Sequence, residues 1–304
     1  MPSPKKVTHE KIDKLLTECG WILQNCSTVN LDAAQTVALP KNRGSRPEVY
    51  TSKIIKAGAL LSDTRMLLTH WDENVPVADN LERFLRQNLF GKTSRSRIED
   101  IVGIFSQRYL REPAVLRALV SMCRSRISSR AIDKILYFHA CRADRLLHDI
   151  VTEILYEFHV EGRSDISTRD IQQALWQWIG QGKTASEWAD YTVVRTSRGL
   201  LSALRDFGIL TGAAKKRMSP VFLPVEAFAY IAFYLAQEQP SGDRLLRHPE
   251  WRIFLLSTQQ VERLFLETHQ SQLLKYHAAG SVIRIDFPAK TLDAYANVIA
   301  KTAH

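Results

Sequence analysis

Several kinds of chemistry are thin or missing in this chain. It has four cysteines, Cys19, Cys26, Cys123 and Cys141, with no CxxC pair and no zinc spacing, so free thiols in a reducing cytosol are expected and no metal site is. The most apolar stretch, VEAFAYIAFYLA (225–236), is twelve residues long, too short to span a bilayer, and reads as a buried helix. The N-terminus MPSPKKVTHEKIDK has no apolar core, so no secretory signal is expected. Catalytic signatures are missing too. There is no nucleophile elbow, no HExxH and no carboxylate pair followed by a nuclease-like ExK, so a non-catalytic protein with no cofactor is expected. His139, Cys141, Asp144 and His148 are close in sequence but would point in different directions on a helix.

Two Gly-Lys-Thr triplets, at 91–93 and 182–184, raise the question of a phosphate loop. That loop needs a glycine five residues earlier, and a strand before it, so that the backbone can curl round the phosphates. Arg86 and Gln177 occupy those positions, and each triplet follows a helical pattern. Both glycines read instead as helix stops.

Positive charge is abundant. The formal net charge is +9 and the pI about 9.4, which suits a polyanionic partner such as nucleic acid or an anionic membrane surface, although a soluble protein can be basic without one. From Arg83 to Arg130 there are eleven Lys/Arg against three acids, and ten of the eleven are arginine. The planar fork of arginine suits phosphate better than the point charge of lysine.

The coarse pattern divides the chain into three parts. Residues 1–45 read as a helical arm, KIDKLLTECGWIL (11–23), followed by a linker, PKNRGSRP (40–47), with two prolines, a glycine and three basic residues. Residues 46–144 read as a basic helical domain. SDTRMLLTHW (62–71) begins on a serine cap. PVADNLERFLRQNLF (76–90) carries apolar Leu81, Phe84, Leu85 and Leu89. SRIEDIVGIFSQRYL (96–110) begins with a Ser96–Glu99 capping box and buries a stripe of Ile98, Ile101, Val102, Phe105 and Tyr109, and Pro113 opens a further helix. Residues 145–304 read as a winged helix-turn-helix region (145–224) with a helical C-terminal extension. One helix ends near Gly162, a second (166–179) starts on Ser167 and Asp170, and a third closes at Gly208. ILTG (209–212) is then a strand, AAKKR a turn and MSPVFLP (218–224) a return strand. Beyond 225 only VIRIDF (282–287) alternates as a strand does. The expected class is mainly α.

The third helix carries the sharpest signal. Arg195, Arg198, Ser202 and Arg205 recur at helical spacing as one polar stripe, and Leu200, Leu201, Leu204 and Phe207 lie on the opposite side. An arginine stripe on a helix can reach phosphates or guanine edges in a major groove. Lys215, Lys216 and Arg217 would form the tip of the wing, where positive charge releases counterions from the backbone. Lys92, Arg95 and Arg97 flank a helix start with hydroxyls between them, a pattern that suits phosphate. Trp176, Trp178 and Trp188 fit core positions better than a stacking platform. The plain alternative is an amphipathic helix with a solvated basic face, and winged helices also serve as protein-interaction modules.

YTSKIIKAGALLSDTRMLL (50–68), NLFGKTSRSRIEDIVGIFSQRYL (88–110) and the winged segment resemble BrxA, the small protein of bacteriophage-exclusion (BREX) defence islands. The resemblance runs from about residue 48 to at least 225. It implies a mostly helical, nucleic-acid-binding protein that works beside a DNA methyltransferase and ATPases, and it offers no catalytic residues to carry over. The cytoplasmic location is expected from the free thiols and the missing secretory signal. The family's likeness to an RNA-binding antitermination factor keeps RNA open as the ligand. Residues 1–43 are similar to the opening of type I restriction motor subunits. There a nuclease core follows, whereas here PKNRGSRPEVYTSK follows, so no nuclease activity is implied. The expectation is therefore a protein that binds double-stranded DNA mainly through phosphates, without strong sequence specificity and without a membrane. RNA binding, or a scaffold role among larger defence proteins, is the alternative.

Overall fold

The computed structural model describes residues 49–302 except 88, 90 and 281. The helical arm, its linker and the resemblance of residues 1–43 lie outside the described residues. The protein is mainly α. The first half is helical throughout: α1 (Ile54–Ala57), α2 (Leu61–Thr69), α3 (Val77–Gln87), α4 (Arg95–Tyr109), α5 (Pro113–Cys123) and α6 (Ser129–Ala143). The expected apolar stripe of α4 is buried from Ile98 to Tyr109.

Two helix starts differ from the expectation. α4 begins at Arg95 on an extended Ser94, so Ser96 already lies inside the first turn and forms no capping box. Glu99 instead pairs with Arg95 at 3.4 Å. In the same way α2 begins at Leu61, with Leu60 left-handed before it, and Ser62 is one residue inside. A capping serine has to be extended, and neither of these is.

The second half opens with α7 (Arg145–Asp149), a π-helical turn (Ile150–Leu155) and α8 (Tyr156–Val160). The order is then β1 (Asp165–Ile166), α9 (Thr168–Gly180), α10 (Asp190–Asp206), β2 (Leu210–Thr211) and β3 (Lys216–Met218). Ser167 and Asp170 form the expected capping box of α9. Gly182, at φ 72°, ends that helix through Lys183 N–H to the Trp178 carbonyl, and Gly208 ends α10 in the same way through Ile209 N–H to Leu204.

The strands form an antiparallel sheet in the order β1-β3-β2. The return strand comes earlier than the sequence suggested. Thr211 pairs with Arg217, so Lys216 and Arg217 lie in β3 and only Lys215 stays in the turn. Gly212 makes this tight turn possible. Its φ is 90°, and a Cβ there would sit 2.1 Å from the Lys215 carbonyl oxygen.

The C-terminal part adds α11 (Val225–Glu238), α12 (Gly242–Leu246), a 3-10 turn (Pro249–Phe254), α13 (Thr258–Gln270), the hairpin β4 (Lys275–Ala279) and β5 (Val282–Asp286), and α14 (Leu292–Thr302). β4 escaped the sequence reading because only one of its five residues, Tyr276, is buried. α14 packs back on α5 and α11. One continuous buried cluster runs from Tyr50 to Ile299. No helix among the described residues is long and apolar enough to cross a membrane.

Candidate nucleic-acid interface

α10 is amphipathic in the sense its spacing predicts. Val193, Leu200, Leu201 and Leu204 are buried, Arg195, Arg198 and Arg205 are exposed, and Ser202 is half-buried. Contacts at three levels hold the helix from behind. In the turn before it, Tyr50 N–H donates to the Lys183 carbonyl at 2.8 Å, and its ring lies 5.1 Å from Trp178. The Tyr50 hydroxyl donates to Asp149 at 2.7 Å, where the π-helical turn begins. At mid-helix, Gly199 lets α1 approach: a Cβ there would be 3.3 Å from the Ile54 carbonyl oxygen. At the C-terminal end, Lys134 Nζ donates to the carbonyls of Phe207 and Gly208 at 3.1 and 3.2 Å. A cation there satisfies orphan carbonyls and favours the negative end of the helix dipole. Burial pulls the Lys134 pKa down to about 8.

In front of α10 lies a groove of about 610 Å³. It is lined by Arg198, Leu201 and Ser202 of α10, by residues 213–217 of the β2–β3 turn and β3, and by Arg163, Asp165, Ile166 and the start of α9. Five of the lining residues are basic, and they are in different states. No described residue engages the head group of Arg198 or Lys215. Lys216 Nζ folds back onto the carbonyls of Gly212 and Ala213 at 2.7 and 2.5 Å, closing the turn between β2 and β3. Arg217 Nε donates to Asp165, its cross-strand partner, at 2.7 Å. Arg163 stacks on Phe158 and donates to Asp170 at 2.6 Å. Burial alone would raise the Asp170 carboxyl, but hydrogen bonds from Arg163 and Ser167 outweigh it and hold the group below the usual carboxylate range.

The structure therefore brings together Arg198, Ser202, Lys215, Lys216 and Arg217. The other two members of the stripe are outside the groove lining. Arg195 lies over Tyr191, 5.4 Å from the ring centre, and donates to its hydroxyl at 3.3 Å. Arg205 is paired with Asp206 at 2.7 Å. Lys92, Arg95 and Arg97 are engaged within the helical part. Lys92 meets Asp63 at 3.1 Å, Arg95 meets Glu99, and Arg97 Nη1 donates to the Lys56 carbonyl at 2.6 Å. The same holds along much of the arginine-rich segment. Arg108 is buried and donates to the carbonyls of Gly58 and Ala59. Arg83 bonds His70 and Asn80, Arg86 pairs with Glu82, Arg117 with Asp293, and Arg124 with Glu73.

Sequence reasoning missed Arg163 and Asp165. They precede the cap of α9, and the two-residue β1 is too short for alternation to show, so nothing marked them as groove residues. The His/Cys group separates as expected: His139 bonds the Tyr230 hydroxyl at 2.9 Å, Cys141 is buried, Asp144 caps α7 and His148 faces Asp149. Among the described residues no group of three His, Cys, Asp or Glu is placed to hold a metal ion. Trp178 is buried and Trp188 partly buried, while Trp176 stands exposed on α9.

No curated protein matches the chain. A crystal structure of an uncharacterized protein from Magnetospirillum magneticum is similar in fold, with a TM-score of 0.51 at 16% identity, over 68% of this chain and 98% of the other. The BrxA family model matches residues 48–234, which include α1 to α10, the three-stranded sheet and most of α11. More than half of the sequence, the whole groove included, lies within that match, and the chain belongs to the BrxA family of BREX phage-defence proteins.

Proposed function

We propose that residues 145–224 form a winged helix-turn-helix that binds duplex DNA, chiefly through phosphates, in the cytoplasm. The order helix, strand, helix, helix, strand, strand, with the strands arranged β1-β3-β2, supports a winged unit with α10 as its recognition helix. The observation that carries the reading is the groove, where Arg198 on α10 and Lys215 on the wing face one space with no described partner for either head group. In this reading residues 46–144 are a supporting body, whose α1 backs α10 and whose Lys134 caps it. Most of the affinity is electrostatic, and sequence preference is weak.

The test is binding to a random-sequence duplex across a salt series, beside a structured RNA of equal charge. Duplex binding should weaken as salt rises, with a slope of about 0.9 per phosphate engaged, and Arg198→Glu should abolish it. Preference for the RNA, unaffected by Arg198→Glu, would overturn the reading. Absence of binding to either at low salt would also overturn it, and would make the groove a dock for an acidic protein surface, such as a methyltransferase or ATPase of the same defence system.

A further inference from the structure

The cations in the groove do not all face solvent on equal terms. Asp165 is the one acidic side chain in the groove lining, and its carboxylate takes the Nε–H of Arg217 at 2.7 Å. The two residues oppose each other across β1 and β3, so the backbone register sets their pairing. Both side chains are about two-thirds exposed, Arg217 at 67% and Asp165 at 69%. An ion pair in that position adds little to stability. It does place a negative charge where the proposed ligand carries its own. Asp170 differs. Its carboxylate also receives the Ser167 N–H and hydroxyl that start α9, and it lies outside the groove lining.

We propose that Asp165 is an internal competitor for phosphate. It occupies Arg217 in the free protein, so a bound polyanion must displace it or forgo that contact, and this keeps affinity for duplex below what the groove's cations would otherwise give. The inference rests on the DNA-binding reading. It adds that the affinity of the groove is limited from within, and by a named residue.

The experiment compares wild type with Asp165→Asn, Asp206→Asn, Asp165→Asn/Arg217→Gln and Arg198→Glu on a random-sequence duplex across a salt series. Asp206→Asn makes the same change in net charge at the Arg205 pair, which lies outside the groove lining. Asp165→Asn should bind about fivefold tighter, the scale of one exposed ion pair, and its salt slope should steepen by about 0.9, one more phosphate. Asp206→Asn should change affinity less than about twofold, because the Arg205 it frees lies outside the groove lining. The double variant should lose the gain. Asp165→Thr, which keeps a strand-forming residue, replaces the amide if melting shows that the amide disturbs β1. An equal gain from Asp165→Asn and Asp206→Asn, or a gain that survives without Arg217, would mean a general charge effect and overturn the proposal. An unchanged Asp165→Asn beside a dead Arg198→Glu would overturn it and leave DNA binding standing. If wild type does not bind at low salt, both ideas fall.

Discussion

Two regions of this protein are rich in positive charge, and they use it differently. The segment from Arg83 to Arg130 is the denser in sequence, with eleven basic residues. There the structure engages Arg83, Arg86, Lys92, Arg95, Arg97, Arg108, Arg117 and Arg124 with carboxylates or backbone carbonyls of the helical body. The groove between α10 and β3 has fewer cations, yet Arg198 and Lys215 have no described partner and Arg217 is held only by an exposed acid. Arginine density thus marks where the fold needs forked donors as readily as where a polyanion would bind. Partners, more than counts, separate the two regions.

Charge reversal should separate them most sharply. Arg198→Glu with Lys215→Glu should lower duplex affinity about a hundredfold at moderate salt, whereas Arg86→Glu with Arg95→Glu should stay within about twofold, because surface pairs of this kind contribute little. Fluorescence anisotropy with a labelled duplex measures both, and equal losses would erase the distinction drawn here.

Stability should show the reverse pattern. Arg108→Met leaves the Gly58 and Ala59 carbonyls without their donor and should cost about 2 kcal/mol in urea unfolding, while Arg198→Met should leave the midpoint unchanged.

Gly212→Ala sharpens the comparison within the groove. A methyl at φ 90°, overlapping the Lys215 carbonyl, must open the turn between β2 and β3. Affinity should drop about tenfold if that turn supplies one or two phosphate contacts, with little change in melting because residues 211–215 are exposed.

The smallest effect is a response of the body to acid. Burial, reinforced by the nearby Arg142, pulls the His139 pKa from 6.5 down to about 3. The unfolded chain therefore takes up a proton that the folded one refuses between those values, and stability falls as pH drops below 6.5. From pH 7 to 5.5 this group should cost about 1 kcal/mol. His139→Gln, which keeps a partner for Tyr230, should flatten that part of the profile.

What could be read in the sequence was local. The α9 capping box, Pro113 at the start of α5, the glycine stops at 182 and 208 and the buried face of α10 each depend on neighbours within a turn or two. Errors came where one residue changes the meaning of the next. Moving the start of α4 back to Arg95 turned a capping serine into a helical one, and ending the β2–β3 turn at Lys215 moved Lys216 and Arg217 from loop to strand. β1 and β4 were missed because a two-residue strand and a mostly exposed one leave no periodic mark.

The sequence by itself determined a mainly α chain, the helix that carries arginine on one face and leucine on the other, and a basic hairpin after it, since propensity, caps and periodicity act over a few residues. Only the tertiary structure decided which cations meet. It brought Arg163 and Asp165 into one groove with residues 213–217, engaged Arg97 and Arg108 of α4 with the backbone around α1, and left Arg198 and Lys215 lining the same space. For several of these arginines the acceptor lies far away in sequence, as Asp165 does for Arg217 and Gly58 for Arg108, and linear spacing carries no record of it.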